Sequence, residues 1–478
     1  MGGRVLSVAS ECVPLVKTGG LADVAGALPG ALEPLGWEMR TLIPAYPGLV
    51  EKLADATEAW SDDDLFGGPA RVLIGRVGPA IILALDAPHL YDRSGGPYGD
   101  PHDFPDNARR FAALSWVAAQ IAASGLSDGW QPQVVHCHDW QAGFAPAYMD
   151  LCTRTPARSV MTIHNIAFKG EAPAAALDAL RLPVSAFNRD SLEFWGNLSS
   201  LKAGIAHADA VTTVSPTYAA ELMRPAFGFG FEGLLEYRAA DFHGILNGID
   251  TAVWDPARDP LIVETYDAAT LSKKARNRAA LLAEFDLAET EGPLAVVVSR
   301  LTGQKGMDLL AESLPDFLAS GGALAVLGSG EAGIEADLRS LAEAHPGRVG
   351  LRIGYDEALS HRMFAGGDAV LVPSRFEPCG LTQMYGLAYG CVPVVALTGG
   401  LADTVIDANP MAISDGVATG LQFHPVDALA FSQTLRRTVS LFQDKGTWTK
   451  MQKTGMSQAL GWERSAASYA DLYESLIA

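Results

Sequence analysis

Basic residues are scarce in this chain. Lys and Arg number 35 against 55 Asp and Glu, a formal charge of -20 at pH 7 over 478 residues. Such a balance repels a nucleic-acid backbone or an anionic membrane, so neither is expected as a main partner. An anionic small molecule remains compatible where the few cations are concentrated, and so does a neutral polymer. Cysteine is sparse too: five residues, at 12, 137, 152, 379 and 391, with no C-x-x-C pair. That usage fits a reducing compartment rather than a disulfide scaffold. No unbroken apolar run could cross a bilayer. The first residues lack a signal peptide's charged and apolar regions, and Leu6 stands where a myristoylation site has Ser or Thr, so the expected location is cytoplasmic.

The length exceeds what one core organises, which predicts two domains of α/β size. Apolar, β-branched runs predict strands at 4–10, 41–44, 71–74, 80–86, 133–138, 159–164 and 210–215. Helices are expected at 21–35, 107–123, 141–150, 200–207 and 216–223. The turn signal Asn247-Gly248-Ile249-Asp250 then marks a break. A second alternation follows, with strands at 294–299, 323–327, 349–353, 369–372 and 392–396. Its helices fall at 273–285, 307–318, 331–344, 357–365 and 381–389. The strand signal fades after 421, and closing helices are expected at 427–442, 448–456 and 464–477. This is an α/β pattern of largely parallel, doubly wound sheets. The boundaries predicted are 1–246, 247–456 and a last segment, 457–478. Ligands of such sheets bind outside the carboxyl ends of strands, where Lys17, Asp86, Asp139, His164 and Asn165 fall.

The richest stretch is 368–382, Asp-Ala-Val-Leu-Val-Pro-Ser-Arg-Phe-Glu-Pro-Cys-Gly-Leu-Thr. A strand ends at Pro373, a polar turn carries Arg375 and Glu377, and Cys379-Gly380 is read as opening a helix. A helix start exposes unpaired N–H groups and suits a phosphate. Glu377 beside it has the wrong charge for phosphate but can accept hydrogen bonds from two sugar hydroxyls. Arg300 and Lys305 follow another strand end, a planar fork and a point charge suited to a departing diphosphate. A diphosphate joined to a sugar is the ligand these residues suggest.

Other patterns compete. Lys17-Thr18-Gly19-Gly20-Leu21-Ala22-Asp23 is echoed by Thr398-Gly399-Gly400-Leu401-Ala402-Asp403, both read as helix starts with bare backbone towards a ligand. Gly328-Ser329-Gly330-Glu331-Ala332-Gly333 matches a dinucleotide fingerprint, with Asp356 where a ribose-binding acid would sit, although Glu331 would repel a pyrophosphate. His136-Cys137-His138-Asp139 cannot converge three ligands from a strand. Asp62-Asp63-Asp64 reads as a solvated run in a loop with no preceding strand. No metal or cofactor is called for. The polar loop at 86–106 is long enough to suggest function, and Cys379 is expected to have a positional role.

Taken together, Lys17 to Val24, His138-Asp139-Trp140, Thr162-Ile163-His164-Asn165, 247–250, Ser299-Arg300-Leu301-Thr302, Gln304-Lys305-Gly306 and 373–383 resemble the bacterial starch/glycogen synthases nearly end to end. These are retaining GT-B glycosyltransferases. The resemblance implies two Rossmann-like domains facing each other across a cleft that closes on the donor. The implied reaction transfers glucose from ADP-glucose to the non-reducing end of an α-1,4-glucan such as glycogen, with retention. Arg300 and Lys305 would hold the diphosphate, and Glu377 the glucose hydroxyls. Cys379, Gly380, Leu381 and Thr382 would present the helix start. Lys17, Gly19, Gly20 and Asp23 would face the donor from the N-terminal domain. His164 and Asn165 would line the sugar site, with Asp139 and Tyr98 towards donor and acceptor glucose. Tyr355 would pack near the adenine, Asn247 would join the substrate contacts, and the last helix would return to the N-terminal domain. Two departures stand out: Tyr385 where the wider superfamily often has a second Glu, and Phe168-Lys169 where relatives often have Tyr-Gln. Open alternatives are another retaining sugar-nucleotide transferase with a different acceptor, a nicotinamide-dependent oxidoreductase, and a non-catalytic glucan-binding protein.

Overall fold

The computed structural model describes residues 2–100 and 102–478. The chain separates into two compact units, Met1–Asn247 with Trp462–Ala478, and Gly248–Gly461.

The first unit is built on a nine-stranded sheet. Its strands are β1 (Arg4–Val8), β2 (Glu38–Pro44), β3 (Ala54–Asp62), β4 (Ala70–Val77), β5 (Ala80–Asp86), β6 (Val134–His138) and β7 (Arg158–Ile163). After a small separate sheet of β8 (Glu171–Pro173), β9 (Glu193–Phe194) and β10 (Asn197–Ser199), β11 (Ala210–Thr213) and β12 (Phe242–Gly244) complete it. The order is β12-β11-β7-β6-β1-β2-β5-β4-β3. Central strands such as β1 and β6 are buried along nearly their whole length, which their continuous apolar runs require of a sheet covered on both faces. β1 pairs in parallel with β2 on one side and β6 on the other. The strand order reverses there, so the carboxyl ends of β1 and β6 frame the place where such sheets take ligands. The helix Glu463–Ile477 belongs to this unit, burying Tyr469 and Tyr473 in a cluster with Trp37, Val134 and Ile245.

The second unit carries a parallel six-stranded sheet: β13 (Leu294–Val298), β14 (Ala323–Gly328), β15 (Val349–Ile353), β16 (Ala369–Val372), β17 (Val392–Ala396) and β18 (Leu421–Phe423). Its order is β15-β14-β13-β16-β17-β18, with the reversal at β13 and β16.

Several sequence expectations are corrected. Asp62 ends β3, so the acidic run does follow a strand; that strand is an exposed antiparallel edge whose polar composition hid it. Asp62 Oδ1 accepts from the Asp64 amide at 2.9 Å, a local turn contact. The helix expected at 141–150 is broken into Asp139–Ala142, Phe144–Tyr148 and a π turn, Met149–Thr153. The one expected at 307–318 divides at Pro315 into Asp308–Ser313 and Pro315–Ala319, because proline lacks the amide that would continue the ladder. The strand signal does not end at 421, since β18 adds a sixth strand beside β17.

Candidate active site

In the second unit, two turns leave adjacent strand ends and are fastened together. Lys305, after β13, donates from Nζ to Glu377 Oε2 at 2.6 Å, and Ser374 Oγ donates to the same oxygen at 2.9 Å. The Lys305 and Glu377 side chains are only 17% and 9% exposed. The Arg375 amide donates to Gln304 O at 2.9 Å, and its guanidinium forks onto Asp308 at 2.6 and 2.7 Å. A β-carbon on Gly306 would lie 1.9 Å from Pro373 O, so only glycine permits this approach. Arg300 is exposed, two residues past the end of β13. The pairing leaves one Glu377 oxygen and two Lys305 protons for other partners.

The helix beyond this turn begins at Thr382, not at Cys379-Gly380. Gly380 is left-handed at φ 70°, which holds the chain out of the helix. Leu381 is its N-cap residue. Buried Gln383 donates from Nε2 to the carbonyls of Cys379 and Gly380 at 3.1 and 2.9 Å and ties the bend to the helix. Cys379 is buried. Tyr385 stacks on Trp254 with ring centroids 3.8 Å apart, and Trp254 stacks on His361 at 3.8 Å from the other side. An aromatic sandwich occupies the place of a second carboxylate.

The apparent dinucleotide fingerprint has a packing origin. β-Carbons on Gly328 and Gly330 would lie 1.9 Å from Ser299 O and 2.3 Å from Leu301 O. Glu331 Oε1 accepts from the Gly303 amide at 3.0 Å and braces the Lys305 turn. Asp356 is not a free ribose acceptor: it caps the helix Glu357–Gly366 by accepting from the Leu359 amide at 2.8 Å. Tyr355 is 79% exposed and donates to Glu357 Oε2 at 2.6 Å.

In the first unit the organising group is Glu11, which the sequence reading passed over. It is buried just past the end of β1. Its carboxylate accepts from the Thr18 amide, from Thr18 Oγ1 at 2.5 Å, from the Gly19 amide at 3.2 Å and from the Tyr98 hydroxyl. Tyr98 also meets Ser10 Oγ at 2.8 Å and Gln141 Nε2 at 3.0 Å. The Gly19 amide is therefore committed within the protein. Lys17 and Asp23 pair at 2.8 Å on the surface of the same loop. An acid directly after an apolar strand was the available signal for Glu11.

The echo of this loop at 398–403 has a different cause. A β-carbon on Gly399 or Gly400 would come within 2.0 Å of Glu377 O or 2.1 Å of Cys379 O, whereas at Gly19 and Gly20 nothing lies within 4 Å. The later glycines pack against the Glu377 turn; the earlier ones face open space.

Asp139 begins its helix at φ 54° and accepts from the amides of His164 and Asn165 at 2.7 and 3.2 Å. Burial pushes its carboxyl up to about 7. Beneath it runs a row of neutral histidines. His138 Nδ1 lies 3.0 Å from His164 Nε2, and His138 Nε2 lies 3.2 Å from Ser7 Oγ. His136 bridges Tyr473 Oη at 2.7 Å and Thr162 Oγ1 at 2.5 Å. Burial holds His136 and His164 down to about 3 and lowers His138 as well. Asn165 Oδ1 accepts from the Ala167 amide at 3.1 Å. Asn247 is buried, and its Oδ1 has no hydrogen-bond partner among the described residues. Asp86 is spent on Arg71 at 2.9 Å.

Comparison with known proteins decides the family. The starch synthase catalytic domain matches residues 4–237, and the glycosyl transferases group 1 family matches 292–440. A glycogen synthase of Cereibacter sphaeroides is 61% identical over 477 residues, covering 100% of this chain and 99% of that protein. The chain belongs to the glycogen synthase family. A second relative, the glycogen synthase of Paracoccus denitrificans, is 57% identical over 99% of this chain and 100% of its own. The catalytic domain of starch synthase IV from Arabidopsis thaliana, solved bound to ADP and acarbose, superposes with a TM-score of 0.89 at 31% identity, covering 100% of both chains. A glycogen synthase fold of the GT-B class and a glycosyltransferase activity follow. Its two family segments fall one on each unit.

Proposed function

We propose that the chain transfers glucose from ADP-glucose to the non-reducing end of an α-1,4-glucan, with retention at the anomeric carbon. The observation that carries the residue roles is the Lys305–Glu377–Ser374 contact at the reversal point of the second sheet. Lys305 and Arg300 neutralise the charge that develops on the departing diphosphate, an effect largest in the transition state. The Glu377 oxygen that Lys305 and Ser374 leave available accepts the glucose hydroxyls. Cys379, Gly380, Leu381 and Thr382 shape the wall beside the distal phosphate, and exposed Tyr355 lies open to the adenine. In the first unit, Lys17 with Asp23 and the open space beside Gly19 and Gly20, where no side chain stands, meet the donor. Tyr98 and Asp139 face the sugars, and His164 and Asn165 line the glucose site. A neutral His164 can exchange hydrogen bonds with hydroxyls without adding charge.

One carboxylate, with Tyr385 stacked on Trp254 in the place of a second, favours front-face displacement, in which the leaving phosphate takes the acceptor proton, over a double displacement. Five scattered cysteines, none in a disulfide among the described residues, and a nucleotide-sugar donor fit a cytoplasmic setting. The test is the initial rate of nucleoside diphosphate release with glycogen, comparing ADP-glucose and UDP-glucose. Glycogen-dependent release favouring ADP-glucose is expected. Release with small sugars but not glycogen would assign a different acceptor.

A further inference from the structure

The turn between β9 and β10 carries the wrong residue for its own geometry. Phe194 pairs with Asn197 across an antiparallel hairpin, which leaves a two-residue turn, Trp195-Gly196. Both have positive φ, 51° and 86°. This turn favours Asn or Asp before Gly, because a bulky side chain crowds its own backbone in the left-handed region. Burial offers Trp195 no compensation, since it is 80% exposed. The adjoining turn repeats the pattern: Phe229 has φ 51° and is 42% exposed, and Gly230 follows at 94°. A β-carbon on Gly230 would lie 3.2 Å from Trp195 Nε1, so the two turns touch.

The base beneath them is rigid. Phe194 and Phe231 are buried and stacked, with centroids 4.5 Å apart at 15°. Lys169 Nζ sits 4.8 Å over Phe194, and Glu193 Oε1 accepts from the Gly196 amide at 2.7 Å. The hairpin is also continuous with the sugar-site segment. From His164-Asn165 the chain runs through exposed Phe168 and half-buried Lys169 into β8, which pairs with β10, and Ser199 Oγ donates to Lys169 O at 2.7 Å. Lys169, the second residue of that departure, is thus part of the hairpin's support.

We propose that Trp195, with Phe229 beside it, is a stacking platform for glucose units of the glucan, separate from the transfer site. The inference rests on the proposed function, which supplies a polymeric acceptor. An indole presents about 150–250 Å², well short of the roughly 800 Å² each partner gives to a stable protein interface. A flat apolar ring with polar neighbours, Glu193 and Asn197, instead matches a pyranose, whose C–H face stacks while its hydroxyls reach the rim.

The test compares the full chain with Trp195→Asn and Trp195→Tyr. Asn-Gly suits the turn, so the first variant should unfold at the same temperature as wild type or higher. Affinity electrophoresis in glycogen without donor should show the dissociation constant rising about tenfold for Trp195→Asn and much less for Trp195→Tyr. The KM for glycogen should rise, with KM for ADP-glucose and rates on maltotriose unchanged. Equal glycogen affinity in Trp195→Asn and wild type overturns the platform. An equal loss on maltotriose also overturns it, placing Trp195 in the transfer site. A shift to smaller species in sedimentation velocity with glycogen affinity intact assigns the ring to self-association and overturns it too. A wild-type chain that neither binds nor extends glycogen overturns the functional reading itself, and the platform with it.

Discussion

Lys305 and Glu377, 72 positions apart in the chain, meet at 2.6 Å. The two groups assigned to opposite ends of the donor, one to diphosphate and one to sugar, therefore hold each other before any substrate arrives. Each fixes the other's rotamer, so little ordering remains for the reaction step. The Arg375–Asp308 fork fastens the same two turns from outside.

Removing one partner leaves the other charge mostly buried. Lys305→Ala should lower turnover about 10²–10³-fold and cost roughly 3 kcal/mol of stability. The double variant Lys305→Met with Glu377→Gln should stay inactive yet recover most of that stability. Steady-state rates with ADP-glucose and glycogen, alongside urea unfolding, measure both. An unfolding midpoint unmoved in Lys305→Ala would show that the pair does not hold the two turns.

Much of this was legible in the sequence because parallel strands buried on both faces leave continuous apolar runs. β16 and β17 are such strands and fall at the expected residues; β5 and β15 do as well, although β5 also pairs antiparallel with β4 and β15 is a half-exposed edge. Arg300, Lys305 and Glu377 stood out as candidates because they are polar residues in the turns that follow such runs. β3 was missed because an edge strand needs no apolar face, and its exposed Thr57 and Glu58 look like loop. The contact between Lys305 and Glu377 was not legible, since sequence spacing says nothing of which strand ends are neighbours. Glu11 was missed for a related reason: its four donors come from residues 18, 19 and 98, and only the fold gathers them. The glycines were visible but their reasons were not, as Gly328 and Gly399 serve packing while Gly19 does not.

Asp139 and the histidines should tilt stability with pH in opposite directions. Burial raises the Asp139 carboxyl from 3.8 to about 7, so the folded chain keeps a proton that the unfolded chain releases. Its contribution is full below pH 4 and is lost as pH rises towards 7. Relative to Asp139→Asn, wild type should lose roughly 4 kcal/mol across that window. Urea unfolding from pH 4 to 8 reads the difference, and a flat difference would return this carboxyl to the ordinary range.

The buried histidines resist protons that the unfolded chain takes up near its ordinary value of 6.5; His136 and His164 are held near 3. Their contribution is full above pH 6.5 and is lost as pH falls towards 3. His136→Gln should flatten the slope of unfolding free energy between pH 6 and 4 by about one proton. An unchanged slope would mean that His136 is already charged in the folded chain.

The open space at Gly19 separates a ligand role from a structural one. Its φ is -156°, extended backbone open to any residue, and a β-carbon there would meet no atom within 4 Å. Gly19→Ala should therefore leave the unfolding temperature unchanged, or raise it slightly by restricting the unfolded chain. If the loop faces the donor, the added methyl stands where the diphosphate must approach, and kcat/KM for ADP-glucose should fall at least about tenfold, a loss of about 1.4 kcal/mol. Gly328→Ala is the control with the opposite pattern. Its methyl would lie 1.9 Å from Ser299 O, so it must push the Lys305 turn aside and lose stability together with activity. Gly333→Ala, with nothing within 4 Å, should change neither. Full activity in Gly19→Ala would take this loop out of the donor site, whatever its likeness to the family motif.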